Sequence, residues 1–147
     1  MSFELFPDSA EVAAGALSLG GVAATELAER FGTPLVVYCR ETLVAQARAY
    51  RSVDPEALVV YGVKAFPSVG ILRLFAEEGL GADVSSLGEL AFARRAGMDG
   101  DRLIVHGNNK SDAELDAAAA ADALLVLDSA EEVPRAREVG VDRKSVV

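Results

Sequence analysis

Four short apolar runs in this 147-residue chain each end in residues able to do chemistry. Lys64 follows Leu58-Val59-Val60-Tyr61, and Asp83 sits with Ser85-Ser86 at the end of Ala82-Asp83-Val84. His106-Gly107-Asn108-Asn109-Lys110 follows Leu103-Ile104-Val105, and Asp128-Ser129 follows Leu124 to Leu127. Lys64 stands among Val63, Ala65, Phe66 and Pro67. A lysine in such company is costly to bury unless paired or neutralised, and an unprotonated amine is what attack on an aldehyde requires. The competing reading is a lysine whose stem packs while its ammonium reaches water. Position alone leaves both open.

His106 is the single histidine. It is either a loop or core imidazole bonded to backbone or, with Gly107 freeing the chain and Asn108, Asn109 and Lys110 following, part of an anion or cofactor site ahead of a helix. Ser111-Asp112-Ala113-Glu114 has the spacing of a capping box, which accounts for Ser111 and Glu114 structurally. Asp83 and Asp128 are each explicable as helix-initiating acids, and Glu89 as a first-turn carboxylate favoured by the helix dipole. One cysteine and one histidine give no metal-ligand spacing and no internal disulfide. The glycine clusters match neither a dinucleotide fingerprint nor a P-loop.

The elements that must position these residues repeat. Helical segments are expected at Val69 to Glu78, Gly88 to Ala96, Ala113 to Ala121 and Ala130 to Glu138, alternating with strands that start at 58, 82, 103 and 124. Short apolar strands alternating with helices of this kind predict βα units and a parallel sheet. Uniform spacing of 24, 21 and 21 residues favours a (β/α)8 barrel over a doubly wound sheet. A whole barrel takes about 250 residues, so four units, with a fifth strand starting at Ser145, predict its first half. Residues 41–147 are assigned to this truncated barrel. Residues 1–40 are assigned to an N-terminal segment containing a helix near Thr25 to Phe31 and one strand, Leu35 to Cys39. A helix over Glu41 to Arg51 opens the barrel part.

A composition of 51% hydrophobic and 25% charged residues is that of a globular domain. The net charge of −9, with basic residues scattered, repels phosphate backbones and argues against nucleic acid as a partner. No apolar run approaches the roughly 18 residues of a membrane helix, and Glu4 stands where a signal peptide would be basic. A cytoplasmic protein without membrane association is expected.

Three motifs in order, Val60-Tyr61-Gly62-Val63-Lys64-Ala65-Phe66-Pro67, Glu78-Gly79-Leu80-Gly81-Ala82-Asp83-Val84-Ser85-Ser86-Leu87-Gly88-Glu89-Leu90 and His106-Gly107-Asn108-Asn109-Lys110-Ser111, resemble the diaminopimelate decarboxylase branch of the fold-type III pyridoxal-phosphate decarboxylases. The resemblance runs from about residue 34 to 140. It implies a pyridoxal 5'-phosphate-binding barrel joined to a C-terminal β domain, to which the Leu35 to Cys39 strand contributes. It also implies loss of carbon dioxide from meso-diaminopimelate to give L-lysine. By the same resemblance Lys64 is the catalytic Schiff-base lysine, Asp83 and His106 lie at the cofactor, and Glu89 and Asn109 support them. The partners it implies are a small amino-acid substrate and, for a full-length relative, a second copy in a homodimer.

Gly62 and Phe66 depart from the alanine and asparagine common in that family. The stacking histidine, glycine-rich phosphate loop, Glu-Pro-Gly-Arg segment and cross-dimer cysteine are not in this sequence, so the chain is expected to be an N-terminal fragment inactive alone. The other readings are an ornithine or arginine decarboxylase, an alanine-racemase-like barrel, and a non-catalytic fragment. The His106 to Lys110 run weighs against the racemase-like one.

Overall fold

A computed structural model describes residues 6–141 and 145–146. The Met1 to Leu5 start, Arg143-Lys144 and Val147 lie outside the described residues. The chain packs as two units, residues 1–49 and 50–147.

The first unit carries three short antiparallel strands, β1 (Glu11–Ala13), β2 (Ala16–Leu19) and β3 (Val22–Ala23). Two-residue loops join them, Ala14-Gly15 and Gly20-Gly21, all four residues at positive φ. That is the geometry of type I′ hairpin turns, whose twist matches the strands and which glycine adopts without a Cβ penalty. Helix α1 (Ala24–Phe31) follows and ends where Gly32 adopts φ 81°. The Leu35 to Cys39 run, expected as a strand, lies outside every strand of the described residues, and Leu35, Val36, Val37 and Tyr38 are exposed. Its composition suits a sheet, but a strand exists only against a partner. The Cys39 thiol instead meets the Ser9 hydroxyl at 3.3 Å. Helix α2 (Arg40–Val53) begins there.

The second unit holds a five-stranded parallel sheet of β4 (Val60–Gly62), β5 (Gly81–Val84), β6 (Leu103–Val105), β7 (Leu124–Val126) and β8 (Ser145–Val146). The strands lie in chain order, β4-β5-β6-β7-β8. A doubly wound sheet reverses direction at a switch point, whereas a barrel adds each strand beside the last. The sheet is a barrel segment, open rather than closed. Helices α3 (Val69–Glu77), α4 (Leu87–Arg95), α5 (Asp112–Ala120) and α6 (Glu132–Glu138) connect the strands, and each packs on the next.

Register sorts the side chains onto two faces. Tyr61, Ala82 and Leu103 pair across one row, and Val84, Val105 and Leu125 across the next. Apart from half-buried Tyr61 these are buried, and the Tyr61 ring lies 4.7 Å from Phe75 of α3, so this face meets the helices. Leu72, Met98 and Leu115 are fully buried in the same core. The alternate row, Gly62, Asp83, Ile104 and Leu124, is only half-buried. It belongs to the face that a closed barrel turns inward.

Candidate functional site

The carboxyl ends of β4, β5 and β6 carry the residues singled out above. Lys64 sits in a 3-10 turn over Val63–Ala65 directly after β4. Val63 anchors that turn with no exposed surface, while Lys64 itself is exposed. Its amine makes no hydrogen bond or ion pair among the described residues. Desolvation of this lysine, which imine chemistry favours, is therefore not supplied by these residues. Gly62 precedes it, paired with Asp83, and a Cβ built on Gly62 would meet nothing within 4 Å. The space beside the lysine is open.

Asp83 and His106 come together. Asp83 lies one position before the end of β5 and His106 immediately after β6, with the His106 amide donating to the Val84 carbonyl at 2.9 Å. That bond continues the β5–β6 ladder and places the imidazole beside the carboxylate, where Nδ1 meets Asp83 Oδ1. Both side chains remain about one-third exposed, at 31% and 30%. The partner of Asp83 is thus His106 rather than Lys64.

Glu89 takes a supporting position without reaching either group. From the first turn of α4 its carboxylate accepts from the Ser85 amide at 2.7 Å and the Ser85 hydroxyl at 3.1 Å, while Ser86 caps the helix. Asn109 is exposed, with φ 52°, and its contribution is a left-handed turn that asparagine tolerates. Ser111 and Glu114 form the expected capping box. Ser85, Leu87, Val105, His106 and Lys110 help line a cleft of about 10 Å³, room for about one water molecule.

Lys110 and Glu132 were not recognised from the sequence as a pair. Their side chains are each 2% exposed, with Nζ 2.9 Å from Glu132 Oε2. The same carboxylate accepts from the Lys110 amide at 2.8 Å and the Asp128 amide at 3.0 Å, and Lys110 Nζ also donates to the Gly107 carbonyl at 2.7 Å. Burial pushes the Glu132 carboxyl up, but the bonds from Lys110 and Asp128 and the lysine charge outweigh it, holding the group below its ordinary value. Arg135 of α6 adds a bond from Nη2 to the Lys110 carbonyl at 2.6 Å and grips Asp112. A signal was present: Ser86-x-x-Glu89, Ser111-x-x-Glu114 and Ser129-x-x-Glu132 share one spacing after three successive strands. Only the middle one closes on its own serine amide; Glu89 and Glu132 each reach the residue before the serine.

Among the described residues no group of three or more His, Cys, Asp and Glu side chains is placed to hold a metal ion, and no helix is long and apolar enough to cross a membrane. Residues 40–146 match the family model described as pyridoxal-dependent decarboxylase, pyridoxal binding domain. The chain is 49% identical over 114 residues to a diaminopimelate decarboxylase of Actinosynnema pretiosum subsp. auranticum, covering 78% of this chain and 26% of the relative. AQ1208 from Aquifex aeolicus superposes with a TM-score of 0.83 at 36% identity, over 89% of this chain and 33% of that one. A diaminopimelate decarboxylase from M. jannaschii superposes with a TM-score of 0.81 at 30% identity, over 92% and 33%. The chain thus spans between a quarter and a third of the length of these proteins.

Proposed function

Because the chain belongs to the pyridoxal-dependent decarboxylase family, matching its pyridoxal-binding domain, we propose that it is the cofactor-lysine part of a protein that converts meso-diaminopimelate to L-lysine and carbon dioxide. Two of the three proteins named above, those of Actinosynnema pretiosum and M. jannaschii, are diaminopimelate decarboxylases, which supports that substrate. Residues 1–40 are the N-terminal segment and 41–147 the first part of the barrel. The whole protein works as a cytoplasmic homodimer on a free amino acid.

The observation that carries the reading is the position of Lys64, an exposed primary amine at a strand end of the open sheet face, two residues beyond Gly62, the partner of Asp83. The residues present fit an aldehyde cofactor: an accessible amine, open space over Gly62 and a carboxylate already oriented by an imidazole. Lys64 would hold pyridoxal 5'-phosphate covalently, with Asp83 and His106 beside it. When bound, that group supplies an electron sink for the pair left by a departing carboxylate. Lys64 provides the amine and, released from attachment, a base or acid at Nζ. Asp83 fixes the His106 ring through Nδ1. Glu89 secures Ser85 at the mouth of β5, and Asn109 shapes the turn beyond His106.

The chain has only three lysines, Lys64, Lys110 and Lys144. Lys110 is buried against Glu132, so its amine is a poor competitor. Incubation with pyridoxal phosphate, borohydride reduction and peptide mapping is expected to place the label on Lys64 and to lose it in Lys64→Arg. Label elsewhere, or none, overturns the assignment. Carbon dioxide release from meso-diaminopimelate is expected from the longer protein and not from residues 1–147.

A further inference from the structure

Two ions are removed from water at Lys110 and Glu132, although neither is needed to attach a cofactor. Such burial is costly, and a well-packed apolar pair would stabilise the fold as well or better. What an apolar pair cannot do is hold backbone. Glu132 accepts from two main-chain amides, Lys110 and Asp128, and Lys110 Nζ holds the Gly107 carbonyl at 2.7 Å. Gly107 is the residue after His106 and has φ 121°, so local preference does little to define the loop there. Its other side lies against Ser85, where a Cβ on Gly107 would stand 3.5 Å from the Ser85 carbonyl oxygen.

We infer that Glu132, acting through Lys110, is a positioning residue that locks the loop after β6 and so holds the His106 ring on Asp83. A continuous path leads from α6 to the site: Glu132 Oε2 to Lys110 Nζ, Lys110 Nζ to the Gly107 carbonyl, one peptide to His106, and His106 Nδ1 to Asp83. Arg135, one turn further along α6, holds the Lys110 carbonyl and reinforces the same loop. The inference rests on the reading of His106 as a cofactor-site residue for its consequence, though not for its geometry.

His106 is the only histidine, so its ring nitrogens give isolated signals in ¹⁵N NMR of the 147-residue chain. Asp83→Asn defines the pattern of a ring that has lost its carboxylate. Lys110→Met/Glu132→Gln removes both buried charges while leaving one side-chain oxygen to accept from one of the two main-chain amides. It is expected to shift the His106 ring nitrogens toward the Asp83→Asn pattern and broaden them, with the amide spectrum of the helices unchanged. Ring signals that coincide with wild type overturn the inference. If the double variant loses amide dispersion, Glu132→Asp decides, because it keeps the charge and shortens the arm by one carbon. An unmoved ring in that variant overturns the inference, and a shifted one supports it. Lys64 labelling is read separately, so a failed cofactor assignment and a failed positioning role give different results.

Discussion

Lys110–Glu132 and Arg94–Asp99 are both ion pairs with short contacts, 2.9 and 3.1 Å, yet their surroundings set very different stakes. Glu132→Ala leaves the Lys110 ammonium buried without its counter-charge and two amides without an acceptor, and is expected to destabilise by about 3–5 kcal/mol. Asp99→Ala breaks a pair whose side chains are 50% and 62% exposed, and solvent screening limits the loss to below about 1 kcal/mol. Urea melts of the two variants check the contrast. The Glu132 carboxyl lies below its ordinary value of 4.5 in the folded chain. Its contribution is therefore complete above pH 4.5 and falls away as pH drops through the depressed folded value. The gap between wild type and Glu132→Ala should narrow on acidification below that point. At this scale the sequence exposed Lys64, Asp83 and His106 as candidates, since strand ends are where such residues act. The Ser129-x-x-Glu132 spacing pointed at Glu132, but its pairing with Lys110 was not legible, because partners 22 residues apart are joined only by the fold.

Helices α3 and α5 are ended in different ways. Helix α5 carries its own capping box, and the Glu114 carboxyl is held below its usual range, chiefly by the Ser111 amide and then by its hydroxyl. Ser111→Ala should cost about 1 kcal/mol, seen as a lower melting temperature with the Lys64 label retained. Helix α3 has no side-chain cap at its start; at its end Arg102 donates to the Ala76 carbonyl in the last turn, and the turn beyond is held by Arg51 on the Glu78 carbonyl and Arg102 on the Leu80 carbonyl. The β4–α6 elements appear within a few residues of their expected ranges, since each apolar run is bounded by its own turn residues. The hairpins of β1–β3 were not legible. Their strands are two to four residues long and largely unburied, so no apolar alternation marks them, and Gly20-Gly21 read as a break rather than a turn.

Across the second unit, the sheet is covered by helices on one face and half-covered on the other. Strands β4 and β8 form its two edges among the described residues. Unpaired strand edges and an apolar row through Ile104 and Leu124 promote association. Sedimentation of the 147-residue chain is expected to show species larger than a monomer, increasing with protein concentration. A concentration-independent monomer with a cooperative melt would contradict this.

Alternating apolar runs and helices, strand-end polar residues and the capping signals were set by local chain chemistry, and the α/β class and the main candidates followed from them alone. Tertiary structure decided which candidates meet. Strand register brought Asp83 to His106 rather than to Lys64, and packing of α6 buried Glu132 on Lys110. Among the described residues, absence of a ladder partner left Leu35 to Cys39 outside any sheet. The physical reason is the same in each case: periodicity records what one segment prefers, whereas a hydrogen-bond or ion-pair partner is chosen by where the rest of the chain arrives.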